Sequence, residues 1–174
     1  MANKRKQNQQ PIVIDEIRFA QVIPGMLKSA EELIKFNDII EDELFLGNIV
    51  STTMITALCS ELLLKYKLQL EGKPIEKTHE LSKLFKSLSE DSQKDIEKEF
   101  QAYISDLSDT IPSDGWETVE SIFEITNDAF VFWRYIVTID TNDKGRYIFP
   151  YRLYVAAMSI YNTIPITNFQ PSGK

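Results

Sequence analysis

The chain has 174 residues and little of what many enzymes and secreted proteins require. It contains one cysteine, Cys59, so no disulfide can form within the chain, and one histidine, His79. A single histidine without paired cysteines matches no usual zinc signature, and we expect neither a metal nor another cofactor. A Gly-rich phosphate loop and a Ser-His-Asp order are also missing, which argues against kinases, nucleotidyltransferases and hydrolases.

Long apolar runs are missing as well. No uninterrupted apolar stretch approaches the roughly 20 residues that span a bilayer. The first ten residues are polar, unlike the start of a signal peptide. We therefore expect a cytoplasmic protein with no membrane association. The formal net charge of −7 argues against a surface dominated by nonspecific phosphate binding, although it leaves room for a local basic patch.

The length and composition fit one domain with a tail at each end. The predicted divisions are a disordered basic tail, an N-terminal arm or short helix, a helical domain and a C-terminal tail, at residues 1–10, 11–25, 26–165 and 166–174. The basic residues Lys4, Arg5 and Lys6 make the first tail either a solubilising terminus or a nucleic-acid arm. Pro24-Gly25 is expected to break the chain before the helical domain.

Apolar residues recur at helical spacing through most of the chain, and strand signals are nearly absent. The pattern from Leu44 to Glu71 is apolar almost all round, which is typical of a central helix, and Gly72 is suited to end it. Thr78 is expected to N-cap the next helix. Further helices are predicted at about 26–42, 89–107, 116–139 and 150–163. The predicted fold is all-α, an antiparallel up-and-down bundle of about five to six helices.

Two charged residues lie within the apolar central helix. Glu61 and Lys65 are one turn apart, with the acid before the base, which is the favourable order. Buried charges persist only when they are paired or hydrogen-bonded. The pair is therefore either a structural lock or a polar site that binds a ligand or RNA.

Each of the other candidate site residues has two alternative roles. Arg134, next to Tyr135 in an apolar stretch, can form an ion pair with Glu61 or another acid, or bind phosphate through its bidentate fork. His79 can serve packing in a capping turn, or replace a missing acid–base residue if it lies beside Arg134. A row of aromatic and sulfur side chains can pack in a core or dimer, or stack on bases, at Tyr151, Tyr154, Met158 and Tyr161.

The order of several short motifs resembles the core of a HEPN domain. These are Ser60-Glu61-Leu62-Leu63-Leu64-Lys65, then Glu71-Gly72-Lys73, then Thr78-His79-Glu80-Leu81 followed by Leu84-Phe85. The later Ala129-Phe130 and Trp133-Arg134-Tyr135 are similar to the penultimate long helix of that family. The similarity covers roughly residues 26 to 165.

The resemblance implies a helical bundle that often dimerises, in prokaryotic toxin–antitoxin, phage-defence or nucleotide-associated systems. Many members are metal-independent ribonucleases, whose signature is an arginine followed after four to six residues by a histidine. Arg134 matches the arginine, but the positions for the histidine hold Ile139, Asp140 and Thr141. The chain thus departs from the family at its general acid–base residue.

The resemblance therefore implies a catalytically inactive binding or accessory protein, which forms a homodimer or a hetero-oligomer with a protein partner and has RNA or a nucleotide as a further ligand. One alternative is an atypical ribonuclease in which Arg134 stabilises the phosphate and His79 or Asp140 moves protons. The other is a purely structural partner module, in which the polar residues serve only stability.

Overall fold

The computed structural model describes residues 12–36, 42–106, 118–127 and 150–165. Within these ranges all regular structure is helical, which confirms the predicted all-α bundle. The six helices of the described residues are α1 (Glu16–Phe36), α2 (Asp42–Leu70), α3 (Leu81–Lys86), α4 (Glu90–Asp106), α5 (Val119–Thr126) and α6 (Pro150–Asn162).

Helices α2 and α6 form the centre of the bundle, since α2 packs against α1, α3 and α6, and α6 also packs against α1, α4 and α5. The core around them consists of large side chains that are almost fully buried, including Leu63, Leu64, Phe100, Ile122, Phe123, Leu153 and Ile160. The segment Gly47–Leu70 of α2 is long and apolar enough to cross a membrane by length and composition. This is weak evidence for a span, because the core helix of a bundle has the same composition and half of this segment is buried in the protein.

The predicted break at Pro24-Gly25 is wrong, because α1 continues through it. A proline inside a helix removes one hydrogen bond and costs about 3 kcal/mol. The buried face of α1 extends on both sides of the proline, and each fully buried large apolar side chain contributes roughly 1.5–3 kcal/mol. Packing against α2 and α6 therefore outweighs the local cost. The buried residues on this face are Phe19, Ile23, Leu27 and Ala30.

The sequence predicts either an arm or a short helix before the main helical domain, and the structure has a short arm followed by the start of α1. Residues 12–15 have no regular secondary structure and are held to the end of α2, since Ile14 N donates to Gln69 Oε1 at 2.7 Å and Gln69 Nε2 donates to Ile14 O at 3.1 Å. The Asp15 carboxylate then accepts from Arg18 N at 3.0 Å and caps the helix.

Thr78 is not the N-cap of α3, contrary to the prediction. The helix begins at Leu81, and Glu80 before it makes no capping hydrogen bond with its side chain. Instead, Asn127 Oδ1 at the end of α5 accepts from Ser82 N at 2.8 Å, and Asn127 Nδ2 donates to Ser82 Oγ at 2.8 Å. A contact across 45 residues thus satisfies the amide that a local cap usually serves.

The other helix ends follow local rules more closely. Gly72 has a φ of 68° and ends α2 as predicted, since the left-handed region favours glycine. Thr118 has extended backbone and forms a capping box with Ser121, so α5 begins at Val119 rather than at the predicted Trp116. Pro150 is the first residue of α6, as predicted. The remainder of the predicted helix 116–139 lies outside the described residues.

The carboxylate of Glu71 joins the end of α2 to the start of α4. It accepts from Ser89 N at 2.9 Å, from Ser89 Oγ at 3.0 Å and from Lys73 Nζ at 2.8 Å. Burial raises the pKa of this carboxyl, but hydrogen bonds from Lys73, Ser92 and Ser89 lower it more, from 4.5 to about 2. The contact therefore favours the ionised side chain over the whole neutral and mildly acidic range.

Replacing Glu71 with glutamine should make stability less dependent on pH. Because the pKa is depressed in the folded protein, the ionised carboxylate contributes stability above about pH 4.5, and this contribution is lost as the pH falls towards 2. We expect the difference in urea midpoint between wild type and Glu71→Gln to be largest at pH 7 and to shrink by pH 3. Glu90→Gln is the control, since that side chain is 87% exposed. A difference that is constant with pH would contradict this role of Glu71.

Candidate functional site

A buried ion pair lies at the middle of α2. Lys65 Nζ donates to Glu61 Oε1 at 2.6 Å, and the two side chains are only 10% and 7% exposed. The i,i+4 spacing places both on one face of the helix, as the sequence predicts. Each charge is therefore compensated where water is largely excluded, which a buried charge requires.

The second oxygen of this carboxylate binds the only histidine of the chain. His79 Nδ1 lies 3.0 Å from Glu61 Oε2, although the two residues are 18 positions apart. Because a carboxylate can only accept, Nδ1 carries the hydrogen, and Nε2 is then the basic nitrogen of the neutral ring. The His79 side chain is 61% exposed. The site thus presents an oriented imidazole at the surface, anchored on a buried pair.

This arrangement orients a histidine but supplies few other reactive groups. A carboxylate that holds Nδ1–H is common beside acid–base histidines. Here Glu61 also binds Lys65, so its charge is shared between two partners. No group of three potential metal ligands occurs within the described part of the chain. The Cys59 thiol is buried, and burial raises its pKa to about 12, which makes it a poor nucleophile.

Three of the predicted site residues cannot be placed beside this cluster. Arg134, Tyr135 and Asp140 lie outside the described residues, so their proposed roles stay predictions, as does the contact of Arg134 with Glu61 or His79. The last described residue before them is Asn127, which binds Ser82 close to the start of α3. Arg134 follows seven positions later in the sequence.

The predicted aromatic row of α6 lies at the margin of the core. All four side chains are half-buried and pack against core residues: Tyr151, Tyr154, Met158 and Tyr161. Burial raises the pKa of Tyr154 to about 12, so its phenol stays protonated at neutral pH. The fully inward face of α6 is formed instead by smaller side chains together with Arg152, which is only 6% exposed. These contacts support a packing role for the aromatic row rather than an exposed surface on which bases could stack.

Two further buried cations were not singled out by the sequence pattern. Lys67 is 8% exposed, and its Nζ donates to Thr163 O at 3.3 Å beyond the end of α6. Burial lowers the pKa of Lys67. Arg152 is the other. The signal that indicates Glu61 and Lys65, a charge within an apolar helix, also applies to both of these residues.

Three further buried polar residues lie on α2. Thr52, Thr53 and Ser60 are fully buried, and their side-chain oxygens have no hydrogen-bond partner among the described residues. The neighbouring Thr56 instead donates to Thr52 O at 2.7 Å. These hydroxyls lie on a different face of α2 from Glu61 and Lys65, as their helical positions require.

Comparison with known proteins finds no family model, no curated protein and no solved structure that matches this chain.

Proposed function

We propose that this chain is a HEPN-like binding or accessory protein without catalytic activity of its own, which acts in a bacterial defence or toxin–antitoxin-like system. The observation that carries the proposal is the tethered imidazole of His79. It is oriented and exposed, but the described residues place no metal-ligand cluster and no accessible thiol for it to work with. A ring that is oriented in this way, with neither a metal-ligand cluster nor an accessible thiol among the described residues, is better suited to recognition than to chemistry.

A protein is the partner that the surroundings of His79 favour. Glu76 pairs with Lys83 at 2.8 Å close by in the chain, and Glu80 follows His79 directly. A surface of mixed charge on a chain with net charge −7 attracts phosphate weakly. A second copy of the chain or a protein of the same system therefore fits better than nonspecific RNA binding.

The proposal predicts self-association or partner binding without RNA cleavage. Light scattering after gel filtration should give a mass above the 20.1 kDa of one chain. Transfer RNA and messenger RNA should stay intact on incubation with the purified protein, with or without a metal chelator. If the protein is a monomer at every concentration, the proposed homodimer is contradicted. RNA cleavage by the wild type that is lost in His79→Ala would overturn the whole proposal.

The second candidate is an atypical metal-independent ribonuclease. It is favoured by the contact between His79 and Glu61, since a carboxylate on Nδ1 leaves Nε2 as the nitrogen that exchanges a proton. In this case His79→Ala and Arg134→Ala should each lower cleavage by about 100-fold or more with unchanged folding. Arg18→Ala is a suitable control, because the Arg18 side chain is 85% exposed. If Arg134→Ala lowers only the melting temperature, the purely structural module is favoured instead.

A further inference from the structure

A cavity of about 140 Å³ lies between α1, the end of α2 and the end of α6. None of its lining residues belongs to the Glu61–Lys65–His79 cluster. Its size is that of one small ring, because an apolar protein cavity of about 150 Å³ binds benzene. The cavity is therefore large enough for a single aromatic molecule.

The walls of the cavity are largely aromatic. Phe19 and Tyr66 lie in contact, with ring centroids 4.1 Å apart and planes tilted by 30°. Tyr161 of α6 contributes a third ring. Aromatic rings attract one another in offset and edge-to-face arrangements, so these walls favour an aromatic ligand over an aliphatic one of equal size.

The cavity also offers a hydrogen-bond acceptor that follows from the proline in α1. Pro24 has no amide hydrogen, so the carbonyl of Ala20 lacks the donor that an α-helix normally supplies four residues later. Ala20 and Pro24 both line the cavity. Burial and the nearby charge of Glu16 raise the pKa of Tyr66, so its phenol keeps its proton.

Anionic ligands are disfavoured by the same lining. The described residues around the cavity are apolar or aromatic, and none carries a charge. An anion placed there would lose its hydration without gaining a partner of opposite charge, and the nearby charge of Glu16 would repel it. The lining therefore favours a neutral ligand over an anionic one.

We propose that this cavity binds a small neutral aromatic molecule that carries one hydrogen-bond donor, of the phenol class. The ring packs against Phe19, Tyr66 and Tyr161, and the donor binds the Ala20 carbonyl. This site is independent of the function proposed for His79.

Phenol, toluene and benzoate are the probes that test the ligand class. The full chain is labelled at isoleucine methyl groups, and the signal of Ile164, which lines the cavity, is followed during titration. We expect phenol to shift this signal to saturation, toluene to bind several-fold more weakly and benzoate to have no effect. A phenol titration that does not saturate, or benzoate binding equal to that of phenol, would overturn the proposal.

Two variants locate the ligand in the cavity. Ala20→Leu fills the space and should weaken phenol binding at least tenfold, whereas Ala102→Leu, the same change at an exposed position of α4, should have no effect. Pro24→Ala supplies the missing amide to the Ala20 carbonyl, so phenol should lose its advantage over toluene while toluene still binds. Unchanged binding in Ala20→Leu contradicts the site. If Ala20→Leu fails to fold, Pro24→Ala provides the test. The proposed site is then contradicted if this variant still binds phenol more tightly than toluene.

Discussion

Replacing Lys65 with methionine is expected to lower the free energy of unfolding by about 3–5 kcal/mol. The Glu61 carboxylate would stay buried after it loses the ammonium group at 2.6 Å, and it would keep only its contact with His79 Nδ1. Breaking a buried ion pair by removing one partner is strongly destabilising. Methionine keeps most of the volume of the lysine chain, so the loss reports on charge rather than on packing. Urea unfolding followed by circular dichroism at pH 7 measures it.

The matched control for this change is Lys35→Met on α1. Lys35 pairs with Glu31 at the same spacing and the same distance of 2.6 Å, but its side chain is 58% exposed. Water screens such a surface pair, so this variant should unfold almost like the wild type. Equal effects of the two substitutions would show that burial does not set the strength of the Glu61–Lys65 pair.

A double variant separates a structural lock from a functional site. Glu61→Leu combined with Lys65→Met removes both charges, and such a replacement of a buried pair is often neutral or stabilising. We expect it to recover most of the stability that Lys65→Met alone loses. If the stable double variant also loses partner binding, the pair is kept for orienting His79 rather than for folding.

Replacing Pro24 with alanine is expected to raise the free energy of unfolding by about 2 kcal/mol. Proline in a helix interior is about 3 kcal/mol less favourable than alanine. Proline also restricts the unfolded chain, which offsets about 0.4–1 kcal/mol of this gain. Pro24 is exposed, so little packing is lost on its removal. The urea midpoint at constant m-value measures the change.

Gly25→Ala provides the control for this second variant. Gly25 is the next residue of the same helix, and an added Cβ would meet no atom within 4 Å. Alanine should therefore stabilise this position by about 0.5–1 kcal/mol through helix propensity alone. A neutral or destabilising Pro24→Ala, beside a stabilising Gly25→Ala, would show that the packing of α1 depends on the proline.

The helices that could be predicted from the sequence are those whose local signals agree with their burial. In α2 the apolar pattern and the terminal glycine both indicate the same helix, and its observed end at Leu70 is one residue from the prediction. In α6, Pro150 is the first residue of both the predicted and the observed helix. Consistent local signals of this kind are the ones least altered by tertiary contacts.

The predictions that were wrong rest on a local signal that a distant contact overrides. Pro24-Gly25 predicts a break, but the core holds one continuous helix together across it. Thr78 predicts a cap, but Asn127 satisfies the first turn of α3 from another helix. In both cases the competing interaction is absent from the neighbouring sequence, so a local rule cannot weigh it.

The candidate site likewise contains one contact that could be predicted from the sequence and one that could not. The pairing of Glu61 with Lys65 was predictable, because an i,i+4 spacing fixes the two side chains on one helix face before any tertiary structure forms. The binding of His79 to the same carboxylate was not, because it depends on how the chain returns to α2 after Gly72. The conformation of that turn sets the distance between His79 and Glu61, and neither composition nor periodicity predicts it.

The sequence alone was enough to predict that this protein is helical, that residues 44–71 form a long helix within its core and that a charged pair lies in that helix. Those properties follow from hydrophobic periodicity and from side-chain spacing along one helix. Three other features became visible only in the packed structure: α1 continues through Pro24, Asn127 caps α3, and Glu61 holds His79. Each of these is an interaction between distant segments, and its free energy exists only once the helices are packed together.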